Sequence, residues 1–148
     1  MPEIISNTSC LIALSNINAL EVLNRLYGNI IITNEVAQEF GQELPDWITI
    51  NPIEDYAKFE IINAILDPGE ASSIALALEK RDPLLILDDG KARRYANSLD
   101  IKLTGTLGIL AKAYKTMIIP DLQIVLSALR QKGFYISRNV EKEILKLI

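Results

Sequence analysis

"LLILDDGKARR", residues 84–94, decides how the chain is read. Leu84, Leu85, Ile86 and Leu87 form an unbroken aliphatic run that passes directly into Asp88 and Asp89. A run without polar alternation suits a strand covered on both faces, as in a parallel sheet packed between helices. The two carboxylates then fall at the strand's carboxyl end, where open parallel sheets bind their ligands. The plainer account makes one aspartate a helix N-cap and leaves its neighbour to the helix dipole. That explains one acid well and the second less well, because adjacent like charges repel and neither is needed for packing.

Further apolar runs of the same kind occur at Ile4-Ile5, Ile30-Ile31-Ile32, Ile48-Thr49-Ile50 and Ile101-Lys102-Leu103. Helical spacing lies between and after them. Ala71, Ile74, Ala75 and Leu78 share one face, as do Leu107, Leu110, Ala111 and Tyr114. Leu122, Val125, Leu126 and Leu129 repeat the spacing after Pro120, which suits a first helical turn. A last helix is expected to carry Val140, Ile144 and Leu147 beyond a break at Gly133. Strands alternating with helices predict an α/β fold: a three-layer α/β/α sandwich around a central, mainly parallel sheet of about five strands. There is no internal repeat or linker, so residues 1–148 read as a single domain.

Composition narrows the chemistry. The chain contains no histidine and a single cysteine, Cys10. Ser-His-Asp and Cys-His schemes are therefore excluded, as are thiolate and imidazole metal sites and any internal disulfide. Acid, base or metal work falls to carboxylates, lysines, tyrosines or the backbone. The net charge of −4 argues against a broad basic face, though not against local basic clusters. The hydrophobic fraction of 49% and mean hydropathy of +0.20 are high, yet no run approaches the ~20 residues of a membrane span. The expectation is an apolar interface, a homodimer, in a cytoplasmic protein without a secretion signal.

Strand ends collect the candidate chemistry. The first strand ends in Asn7, Thr8 and Ser9, and the fifth in Thr104, Gly105 and Thr106. "LDPGEASSIALAL" puts Glu70 after a Pro-Gly turn at the start of a helix, and "ITNEVAQEF" puts Glu35 and Glu39 on a shared helix face. Each has a plain alternative: dipole complementarity for Glu70, a solvated face for Glu35 and Glu39, a cap for Asn7. Their convergence on one sheet edge is what favours a site. Clustered carboxylates suit a hard cation such as Mg²⁺ or Mn²⁺, which can activate water and stabilise a phosphoryl transition state without histidine. Lys91, Arg93 and Arg94 then could meet phosphate, or simply form an exposed basic face.

Taken in order, "IISNTSCLIALSNI", "ITNEVAQEF", "LDPGEASSIALALE", "LLILDDGKARRYA" and "LTGTLGILAKA" cover most of the chain. Together they resemble the PIN-domain family, metal-dependent ribonucleases that include the VapC-like toxins of toxin–antitoxin pairs. The family gathers acidic residues from separate segments around one or two divalent ions. The resemblance implies catalytic roles for Asn7, Glu39, Glu70, Asp88 and Asp89, with Asn7, Glu70 and Asp88 or Asp89 as metal ligands. It implies Mg²⁺ or Mn²⁺ as cofactor, and RNA and a cognate antitoxin as partners. Ser9, Lys91, Arg94, Thr104 and Thr106 are the residues expected to meet RNA. Asn7 stands where the family's first aspartate is usual, which implies a weakened metal site.

Two functions follow. One is a divalent-metal-dependent endoribonuclease acting as a toxin. The other is a non-catalytic PIN-like module that binds RNA or a protein, its metal site weakened by Asn7. A phospho-acceptor receiver domain would need an acidic pair after the first strand, and none is present.

Overall fold

The computed structural model describes residues 2–146. Five strands form one sheet: β1 (Glu3–Ser6), β2 (Ile30–Ile32), β3 (Ile48–Ile50), β4 (Pro83–Ile86) and β5 (Lys102–Thr104). Their spatial order is β3-β2-β1-β4-β5, and every pairing is parallel. Nine helices among the described residues cover it: α1 (Thr8–Asn16), α2 (Glu21–Tyr27), α3 (Asn34–Phe40), α4 (Tyr56–Asn63), α5 (Pro68–Glu79), α6 (Gly90–Ser98), α7 (Thr106–Lys115), α8 (Leu122–Gln131) and α9 (Arg138–Leu145).

Alternation along the strands builds the two outer layers. Successive side chains of a strand point to opposite faces. Accordingly, Ile4 and Ile86 join a core with Leu11, Leu23, Leu110 and Leu129, under the layer of α1, α2, α7 and α8. Ile5, Leu85 and Leu87 join the other core with Ile62, Ile74 and Ala92, under α4, α5 and α6. The three-layer α/β/α sandwich is therefore what the strand patterns anticipated. No helix among the described residues is long and apolar enough to cross a membrane.

Several local expectations change. The face Ala71, Ile74, Ala75 and Leu78 predicted a half-buried helix, yet α5 is buried from Ala71 through Ala77. Its small residues let α4 close over the side that would otherwise meet water. Pro68 and Gly69 lie inside the first turn of α5 rather than before it, with Asp67 as the N-cap. Likewise Pro120 precedes α8, whose cap is Asp121. The third strand is not fully covered: β3 is the sheet's edge, and Ile50 is 41% exposed. Helices α2 and α4 had no counterpart in the sequence reading. Val140 and Ile144 lie on α9, and Leu147 lies outside the described residues.

The strand order reverses direction beside β1. The chain steps outward from β1 to β2 and β3, then returns across β1 to β4 and β5. A crevice opens at the carboxyl ends where neighbouring connections diverge in this way. Asn7 and Asp88 follow the two strands that flank it.

Candidate active site

Asn7 continues the β1–β4 ladder by one bond, its backbone N–H donating to the Ile86 carbonyl at 3.1 Å. The residue also occupies the N-cap position of α1. A capping asparagine normally accepts a hydrogen bond from the first helical turn, but this side chain makes no such bond. It is 2% exposed, and its Oδ1 has no hydrogen-bond partner among the described residues. A buried carbonyl oxygen left unsatisfied costs on the order of 1–3 kcal/mol. The cap therefore does not account for this side chain, whose oxygen keeps its accepting capacity unused among the described residues.

Asn7 lines a pocket of about 350 Å³ together with Thr8, Ser9, Ile12, Glu39, Asp67 and Glu70. Glu39, on the last turn of α3, accepts a 2.8 Å hydrogen bond from the Thr8 hydroxyl. That contact exists because residue 69 is glycine: a Cβ there would run into Glu39 Oε1 and come within 3.1 Å of Thr8 Oγ1. Asp67 caps α5, its Oδ1 accepting from the Glu70 backbone N–H at 2.8 Å. Glu70 is thus fixed at the first turn by its own main chain. Glu35, by contrast, lines neither this pocket nor its neighbour.

A second cavity of about 940 Å³ shares Ser9, Ile12 and Glu70 with the first and adds Asp88, Asp89, Arg93, Thr104 and Gly105. The two aspartates are held differently. Asp89 caps α6, its Oδ2 accepting from the Ala92 N–H at 3.0 Å. Asp88 accepts two bonds from Thr106, at 2.8 Å from the backbone N–H and at 2.6 Å from the hydroxyl. A side chain on Gly105 would crowd that clamp, since its Cβ would lie 2.8 Å from Asp88 Oδ1. Arg93 lines the cavity while its guanidinium donates to the Leu87 carbonyl at 2.6 Å. Lys91 and Arg94 are exposed and line neither pocket, and Thr106 is fully buried behind Asp88. The structure thus brings Asn7, Ser9, Glu39, Glu70, Asp88, Asp89 and Thr104 to one edge, and leaves Lys91 and Arg94 outside it.

Charge crowding marks Glu70. Burial, then the negative charges of Asp67 and Asp89, push its carboxyl up to about 7 from 4.5. The folded state therefore holds a proton that the unfolded chain has released between those values. Stability from this group is present below about pH 4.5, falls as pH rises to about 7, and is level above. Glu70→Gln should remove that slope. Relative to the parent, the metal-free variant should gain about 1 kcal/mol at pH 8, after allowance for solvent screening, and nothing at pH 4. Denaturant titrations at the two pH values measure this; equal differences at both would detach Glu70 from the crowding.

The donors present are all hard oxygens: the Asn7 carbonyl and the Glu39, Glu70, Asp88 and Asp89 carboxylates. Among the described residues no three acidic, histidine or cysteine side chains stand close enough to hold a metal by themselves. Mg²⁺ needs no such cage, because it keeps several waters and takes one or two carboxylates. The orphaned Asn7 oxygen and the crowded Glu70 fit a hard divalent ion of that kind. Cys10 does not join the set. Burial pushes its thiol up to about 12, a hydrogen bond with Thr106 opposes this, and the Asp88 charge adds to it. It is a protonated core residue rather than a nucleophile.

Sequence reasoning missed Asp67 as a pocket residue, and named Arg93 only alongside Lys91 and Arg94. "DPGE" has the pattern of a helix start, an acidic N-cap followed by proline in the first turn, and it signals both Asp67 and the placement of Glu70. No comparable signal separates Arg93 from its neighbours.

No curated protein matches the chain. A family model described as a PIN domain matches residues 3–148. With that match over nearly the whole chain, and with oxygen-bearing side chains meeting where its parallel sheet reverses order, the protein belongs to the PIN-domain family, whose fold is of nuclease type.

Proposed function

We propose that the protein is an endoribonuclease dependent on Mg²⁺ or Mn²⁺, and that it is the toxin of a toxin–antitoxin pair in the cytoplasm. The observation that supports the metal-dependent reading is the buried Asn7 Oδ1, without a hydrogen-bond partner among the described residues, on a residue that lines a pocket with Glu39, Asp67 and Glu70. When bound, the ion neutralises the carboxylates and stabilises the charge that builds on a phosphodiester during hydrolysis. The chain's own residues then have separate tasks. Asn7, Glu70 and Asp89 offer ligand oxygens. Asp88 is oriented by the Thr106 clamp toward the same edge. Glu39, held by Thr8, is placed to take a proton from the attacking water. Ser9 and Thr104 line the cavity where the RNA backbone would lie, with Arg93 as a counter-charge in the same lining.

The test is incubation of a mixed RNA pool with the protein in Mn²⁺, Mg²⁺ or chelator. Metal-dependent cleavage, lost in Glu70→Gln and Asp89→Asn, is expected. A toxin role further implies growth arrest on expression, relieved by a small protein encoded beside it. Pairing of two copies through exposed apolar surface is part of the proposal, and a monomer mass by light scattering would remove it. A second reading, a non-catalytic module that binds RNA or protein, draws on the absence of a tight acidic trio among the described residues. RNA binding without cleavage at any metal concentration would favour it.

A further inference from the structure

The larger cavity does not end at the carboxylates. Its far wall is the turn between α8 and α9, where Lys132, Phe134 and Tyr135 line it. Phe134 is half-buried and packs on the core, but Tyr135 is 84% exposed and has no aromatic partner among the described residues. The turn is braced from both sides, because Arg130 of α8 grips Glu141 of α9 through two bonds of 3.0 and 2.7 Å. Lys132 and Arg93, the cavity's two cations, pair with no carboxylate among the described residues. One cavity therefore holds an acidic end, two cations without a carboxylate partner among the described residues, and a flat aromatic face on a turn tied across by the Arg130–Glu141 pair.

A ligand matching that order is an anionic chain carrying flat groups. A base inside a duplex has both faces covered by its neighbours, so only a splayed base can stack on a side chain. The chain's net charge of −4 means that the polyanion must be met locally, at cations such as Lys132. We infer that Tyr135 is a base-stacking platform that makes this cavity select unpaired RNA, with Lys132 meeting the phosphate beside the stacked nucleotide. This rests on the nuclease reading above and adds its specificity-determining residues.

The test measures the binding of a short, unstructured fluorescent RNA by anisotropy in chelator, so that no cleavage intervenes. The same RNA annealed to its complement serves as the second probe. Tyr135→Ala should weaken binding of the unpaired strand by roughly tenfold, within the range typical of a lost base–aromatic stack, while Tyr135→Phe keeps it. Lys132→Gln should lower the slope of log affinity against log salt by about 0.7. The duplex should bind more weakly and be insensitive to residue 135. If the unaltered protein binds no RNA, this inference fails, while the nuclease reading stands or falls by the metal-dependent cleavage assay above. If it binds RNA and Tyr135→Ala binds equally well, the platform alone is overturned. Loss of self-association by Tyr135→Ala with RNA binding unchanged would assign the ring to a contact between copies, and would also overturn it.

Discussion

Asn7→Asp should tighten Mn²⁺ binding by about tenfold and raise any metal-dependent cleavage, while lowering metal-free stability by about 1–3 kcal/mol. The two effects have one cause. The side chain is buried and its Oδ1 has no donor among the described residues, so a carboxylate placed there is desolvated without compensation. Glu70, already carrying a raised proton affinity from burial and then from the charges of Asp67 and Asp89, lines the same pocket. A divalent ion reverses the balance, because the added charge attracts it and the ion removes the repulsion. Calorimetric titration with Mn²⁺ and denaturant titration with and without metal measure both sides. Equal metal affinity in the two proteins would reduce residue 7 to a helix boundary. Tight metal binding by the aspartate form without RNA cleavage would favour the non-catalytic reading.

Thr106→Val should cost about 1.5–3 kcal/mol, lowering the melting temperature by several degrees, and Thr106→Ser should restore most of it. The hydroxyl is fully buried and gives Asp88 its shortest hydrogen bond, 2.6 Å. Valine keeps the volume and removes the donor, so one oxygen of a partly buried carboxylate loses its partner. The backbone N–H bond to the other oxygen persists, so Asp88 remains near its place but is free to rotate. Metal affinity should fall along with stability. A valine variant as stable as the parent, with unchanged Mn²⁺ affinity, would show that the clamp does neither job.

Much of this was legible because burial on two faces leaves a plain mark. The Ile30–Ile32 and Leu84–Leu87 runs suit covered strands, which puts the polar residues after them at the sheet's edge. Parallel pairing followed from the helices between. What sequence hides is which side of a helix is covered and by what. The spacing in α5 indicated one apolar face, but α4, with its own mixed pattern, closes over the other. Within "GKARR" every basic residue has the same chemistry, and only the helix's rotation selects Arg93 for the cavity over Lys91 and Arg94. The aromatic pair after Gly133 looks like a simple helix break until α8 and α9 are seen to bring it back beside the carboxylates. Asn7 illustrates the reverse difficulty. Its position predicted a cap, and in the folded protein the position is kept while the capping bond is not made.

The sheet order also sets a sequence of events in folding. β1, the central strand, pairs with β4 through Glu3↔Pro83 and Ser6↔Ile86, partners far apart along the chain. During synthesis its edge on that side stays open until β4 has emerged, and such non-local parallel pairing forms slowly. The Asp88 clamp waits longer still, for Thr106 beyond β5. A nascent chain shorter than that can hold a half-sheet of β1, β2 and β3, but not the assembled edge. The edge that gathers Asn7, Glu70 and Asp88 is therefore completed only after most of the chain has been translated.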